Sequence, residues 1–156
     1  MAKTASSGDL KSGLGRLEST LEVYFVDKAP FQLPAGAKEF IVKYGPWITL
    51  ILLILTLPAL LLAFGLGALV APFAFLGGLQ AGVSYGVGMI FSAVILVMEA
   101  FAIPGLLKRK LGGWRLMYWA ALLGAVENLI SFNLGGLIIG TLLSLYIIFQ
   151  VKSYYK

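Results

Sequence analysis

The chain contains no cysteine and no histidine, and charged residues make up only 12% of it. The absence of cysteine excludes disulfides, iron–sulfur clusters, thiolate zinc sites and cysteine nucleophiles. The absence of histidine excludes the usual catalytic triad and imidazole ligation of haem or zinc. Soluble domains carry about 25% charged residues. Sixty percent of the 156 residues here are hydrophobic, so a water-soluble fold would expose large sticky patches. Lipid is the simplest solvent for such a composition. The 19 glycines agree with this, because glycine is more frequent in membrane helices than in soluble ones. One domain is expected from the length.

What charge there is sums to +5. A basic balance points to nucleic acid or to an anionic membrane surface. The basic residues flank apolar runs, and no groove-reading motif is visible, so nucleic acid is not an expected partner. The first 30 residues lack an apolar core and a small-residue cleavage site, so no signal peptide is expected. Residues 1–9 are small and polar and are expected to be disordered. Residues 10–45 read as an amphipathic cytoplasmic or interfacial segment. Within it Leu10, Leu14, Leu17, Leu21 and Tyr24 recur at helical spacing and predict a helix over 10–26. Its apolar stripe suits either a membrane interface or a partner helix; the run Leu21 to Val26 also has strand character. Pro30 and Pro34 predict a break over 29–36, and 37–45 reads as a short pre-membrane segment.

Four apolar runs follow, at about 46–70, 81–107, 114–132 and 134–151. A spanning helix needs about 20 mostly apolar residues. Pro46 suits a first helical turn, Pro58 is expected to kink its helix, and 72–78 reads as a turn or an interfacial loop. All twelve lysines and arginines fall before the first run, around the link between the second and third (Arg115 at the very start of the third), or after the fourth, where residues 152–156 form a tail. The positive-inside rule then places both termini and the central loop in the cytoplasm. The predicted fold is an all-α integral membrane protein: a four-helix bundle of two antiparallel hairpins in the inner membrane, preceded by the amphipathic helix. Trp47, Trp114, Trp119, Tyr44, Tyr154 and Tyr155 sit where an interfacial aromatic belt would. A weak repeat, Phe75-Leu76-Gly77-Gly78-Leu79 against Phe132-Asn133-Leu134-Gly135-Gly136-Leu137, marks the two outer turns.

Only Glu99 and Glu127 place charge deep inside the runs. A charge at the bilayer centre costs about 2.5–3.5 kcal/mol on insertion scales, so such residues face a bundle interior or a wet cavity. Counting 1.5 Å per residue from Lys108 and Arg115 puts the two carboxyls at depths that differ by roughly 5 Å, close enough to meet. Tyr85, Ser92 and Glu99 repeat every seven residues, and Ala120, Gly124, Glu127 and Ser131 share a face with Asn128 beside them. Gly136, Gly140 and Ser144 form a third small-residue face near Thr141, and Gly82 and Gly86 a further GxxxG pair. Small residues at this spacing let helices approach closely, and polar ones bond across the seam. A protonated carboxyl could tie helices through Asn128, Ser92, Ser131 or Tyr85; an ionised one could relay a proton or cation. Lys108, Arg109, Lys110 and Arg115 could contact anionic lipid or simply set topology. No metal or cofactor motif is present. Two functional classes remain: a non-catalytic scaffold, assembly factor or subunit of a membrane complex, and a small oligomeric transporter or channel using Glu99 and Glu127. An enzyme is the least favoured class. The lipid bilayer is the expected surrounding, with a homo-oligomer or a membrane-protein partner both open.

Overall fold

A computed structural model describes residues 7–156, and the described chain is helical with no strand. Helix α1 spans Ser7–Glu22 and closes with a wider π-turn, Val23–Asp27. Helix α2 spans Ala35–Ala74, α3 Leu79–Leu107, α4 Leu111–Ile130 and α5 Thr141–Gln150, the last preceded by a π-helical stretch, Gly136–Gly140. Extensive contacts join α2 to α3, α3 to α4 and α4 to α5. Three stretches are long and apolar enough to cross a membrane: Ala35–Gly77, Leu79–Leu107 and Gly136–Tyr154. The expected span at 114–132 falls on α4, which is not among them. Its 20 residues include Arg115, Glu127 and Asn128 together with Trp114, Tyr118 and Trp119, and these lower its hydropathy.

Several boundaries differ from those expected. Ser7 to Asp9 already belong to α1, where Asp9 favours the first turn through the helix dipole; the rest of the expected tail, residues 1–6, lies outside the described residues. The run Leu21 to Val26 is not a strand. Instead, the extra residue of the π-turn shifts the inward face from Tyr24 to Phe25. Tyr24 is exposed, and Phe25 stacks on Phe149 at 5.9 Å. The pre-membrane segment and the first run form one 40-residue helix, with Pro34 as its N-cap and Pro46, Pro58 and Pro72 inside it. Pro46 is therefore not in a first turn. The expected loop at 72–78 shrinks to a 3₁₀ turn, Phe75–Gly77, ending on Gly78 at φ 104°, a conformation that glycine adopts without steric cost.

The turns after α3 and α4 are built alike, though neither has a glycine in the left-handed position. Arg109 (φ 51°) and Phe132 (φ 54°) occupy it. Lys110 N–H donates to Gly105 C=O at 2.8 Å, and Asn133 N–H to Asn128 C=O at 2.8 Å. This is the six-to-one bond of a Schellman motif. The two turns of the weak repeat are thus not equivalent: Gly78 makes the first, whereas Gly135 and Gly136 lie within helical structure.

The buried core lies at one end of the helices. Val42 of α2, Ala102 and Leu106 of α3, Trp114 and Tyr118 of α4, and Leu145 and Phe149 of α5 meet there, joined by Val151 and Tyr155. Trp114 stacks on Tyr118 at 5.6 Å and meets Phe149 edge-on, and its indole N–H donates to Ile148 C=O at 2.8 Å. Trp114 and Tyr155, expected in a peripheral belt, are core residues; Trp47 and Tyr44 are exposed. Helices α3 and α4 touch through backbone at Gly105 and Gly113, where a Cβ on Gly105 would lie 2.8 Å from Gly113 Cα. Away from this end the helices leave large apolar side chains uncovered, including Leu69 (71% exposed), Leu76 (85%) and Ile139 (71%).

Candidate functional site

Two arrangements stand out: a clasp at the packed end and a groove further along the helices.

The clasp joins the N-terminal segment to the ends of α4 and α5. Gln150 is 2% exposed, the one buried polar residue among those described. Its amide donates to Phe25 C=O at 2.8 Å and accepts from Leu33 N–H at 3.3 Å, gripping the chain on either side of the break. Tyr146 Oη donates to Phe31 C=O nearby. Lys152 binds Glu18 at 2.9 Å and Glu22 at 2.7 Å and lies over the Trp114 ring. Arg115 reaches Glu18 at 3.6 Å. The C-terminal residue closes the α3–α4 turn: Lys156 N–H donates to Arg109 C=O at 2.9 Å, and Leu111 N–H to Lys156 C=O at 2.8 Å. Burial pushes the Tyr155 phenol above its usual range, against the opposing pull of the Arg109 charge. Of the four cations read as possible lipid contacts, Arg109 pairs with Glu39 and Arg115 with Glu18, while Lys108 and Lys110 are exposed and have no ion pair among the described residues. The α1 stripe is divided. Leu21 packs on the core, and Leu10, Leu14 and Leu17 stay exposed.

The groove, about 320 Å³, lies between α3, α4 and α5. It brings together much of the polar and small-residue set expected to share a seam. Glu99 faces it from α3, Gly124 and Asn128 from α4, and Gly136, Gly140 and Ser144 from the last helical stretch. Asn128 donates to Gly124 C=O at 2.8 Å and accepts from Asn133 at 2.9 Å, while Asn133 accepts from Gly136 N–H at 3.0 Å. Thr141 also faces the groove.

Other expected members lie elsewhere. Tyr85 and Ser92 line a separate hollow between α2 and α3, Gly82 packs under the Phe75 ring, and Gly86 meets open space. Ser131 caps the end of α4. Glu127 does not reach Glu99. Its carboxylate approaches Gly88, eleven residues, or roughly 16 Å, along α3 from Glu99. The expectation that the two carboxyls meet is therefore corrected. The helices pair outward from Gly105 and Gly113, so Glu99 lies six residues from the crossing and Glu127 fourteen. Counting from Arg115 had hidden that offset. Neither carboxylate has a hydrogen bond or ion pair among the described residues. No group of three acidic residues is placed to hold a metal among them.

Gln150, Gly105 and Gly113 carry much of this geometry and were not singled out from the sequence. The available signal was a pair of glycines flanking the basic Lys108–Lys110 turn at near-equal distance.

Fold and site together define an all-helical protein with three helices apolar enough to span a bilayer, a polar clasp at one end and a partly polar groove. Comparison with family models, with curated proteins and with solved structures finds no match to the chain.

Proposed function

We propose that the chain is a four-span membrane protein with both ends on the basic, cytoplasmic face, acting without catalysis as a scaffold, assembly factor or subunit of a membrane complex. The observation that carries this reading is the uneven packing. One end holds nearly all the buried core and the clasp, and the remaining helix surface is apolar and uncovered. Only lipid or other helices would cover such a surface without loss.

The fourth crossing is supported by geometry. Helix α3 ends at the basic end, and the stretch leading into α5 begins at the opposite one. If both cross, α4 covers the same distance between them, and its 20 residues span about 30 Å, a full hydrocarbon core. It runs antiparallel beside α3, with Gly113 against Gly105 and Glu127 by Gly88. The exposed leucines of α1, beside Arg115 and Trp119, suit a helix lying at the headgroup level.

Separation of the carboxyls weakens the transport alternative, because a relay between Glu99 and Glu127 would need an intervening carrier. The unpaired Glu99 in an open groove is what keeps that alternative in view. Gentle extraction at native expression level distinguishes the two. The subunit reading expects a second membrane protein at fixed stoichiometry, and Glu127→Gln should leave that complex intact. A homo-oligomer whose proteoliposomes move protons or cations, with flux lost in Glu99→Gln, would replace it with the transporter.

A further inference from the structure

We infer that the groove between α3, α4 and α5 seats one apolar helix of a different membrane protein, carrying a lysine or arginine at the depth of Glu99. The inference rests on the subunit reading and specifies the surface and the chemistry of recognition.

The first argument is shape. The groove follows α4 from Met117 to Asn128 and the last helical stretch from Gly136 to Ile148. Each wall is about 16–18 Å long at 1.5 Å per residue. A small solute would fill one end; a helix of three turns fills the length. The walls are low where a backbone must approach. A Cβ built on Gly140 meets nothing within 4 Å, and one on Gly124 only touches Ile95 at 4.0 Å. Glycine in a helix interior is destabilising relative to alanine. At Gly105 and Gly113 that cost is repaid by contact within the chain, whereas at Gly140 nothing among the described residues uses the space.

The second argument is charge. Glu99 faces the groove and has no hydrogen bond or ion pair among the described residues. A carboxylate at membrane depth is costly unless paired. The lysines and arginines of this chain cluster at the basic ends of its apolar runs, and Arg115, just inside the third, is paired with Glu18, so a second copy would bring apolar surface to Glu99 and no free counter-charge at its depth. A cation complementary to Glu99 in this groove would therefore come from another protein. Small residues on both walls with one charged pair at depth would give affinity and register together.

Because the chain lacks cysteine, Gly140→Cys can carry a photoreactive maleimide into the groove, with Leu62→Cys on the exposed face of α2 as the comparison. In native membranes, Gly140→Cys should crosslink one integral membrane protein with a lysine or arginine inside an apolar span. Capture should fall at least tenfold on adding Glu99→Lys and return when the partner's basic residue is changed to glutamate. Glu99→Gln, a neutral near-isostere, should weaken capture while preserving the protease-resistant fold. Adducts with lipid alone, adducts with a second copy, or capture indifferent to both Glu99 variants would overturn the inference. A partner crosslinked from Leu62→Cys and not from Gly140→Cys would overturn the groove while leaving the subunit reading intact.

Discussion

Gly113→Ala should destabilise the protein by about 3 kcal/mol, and Gly113→Val should prevent α3 and α4 from pairing. A Cβ at this position would lie 2.5 Å from Leu106 N and 2.6 Å from Gly105 C. Both obstacles are backbone, so no side-chain rotation relieves them, and the helices must separate. Overpacking a core typically costs about 1–3 kcal/mol, and a clash against backbone belongs at the upper end. The buried residues Leu106 and Trp114 flank the crossing, so separation would also loosen the core. Gly86→Ala is the matched comparison. It lies in the interior of α3 with nothing within 4 Å of its added Cβ, so alanine should stabilise by up to about 1 kcal/mol through helix propensity alone. Unfolding titrations in mixed detergent micelles would read both. Equal effects at the two positions would remove the close crossing from the account.

Gln150→Leu should loosen the link of the N-terminal segment without detaching it or unfolding the helices. The substitution roughly keeps volume but leaves Phe25 C=O without its donor and Leu33 N–H without its acceptor. An unsatisfied buried backbone group costs about 1–3 kcal/mol, and these part-buried groups belong at the lower end. The segment would still be held by Lys152 to Glu18 and Glu22 and by the Phe25–Phe149 stack, so the variant should remain helical. Cleavage in the link between Lys28 and Pro34 by a non-specific protease should accelerate at least tenfold, since 1.4 kcal/mol corresponds to a factor of ten in the open population. Adding Lys152→Ala should accelerate it by less than the product of the two single effects, because both side chains hold one segment. An unchanged cleavage rate in Gln150→Leu would mean that the clasp does not hold.

The helices themselves were legible because length, apolarity and flanking charge act locally. The groove was partly legible for the same reason. Gly124 and Asn128, and Gly136, Gly140 and Ser144, follow helical spacing, and the fold does bring those faces to Glu99. What failed was register. The offset between Glu99 and Glu127 depends on where α3 and α4 first touch, and that is decided by a tertiary contact between Gly105 and Gly113. The turn between them gave no warning, since its left-handed position holds Arg109, not glycine. Helix α2 was misread for a different reason. Proline disfavours helix in the residue before it but does not forbid it, and α2 runs through Pro46, Pro58 and Pro72. Gln150 was missed because its partners are backbone groups more than a hundred positions away.

The central claim is an even number of crossings, with α4 inside the bilayer. The cysteine-free chain permits a direct measurement: labelling of Phe132→Cys and Lys156→Cys by a membrane-impermeant maleimide added outside intact cells. Position 132 is an exposed residue of the turn after α4, and 156 lies against the basic α3–α4 turn. Labelling at 132 with protection at 156 until the membrane is opened is the expected result. Labelling at 156 from outside, or protection at both positions, would contradict the four-span arrangement.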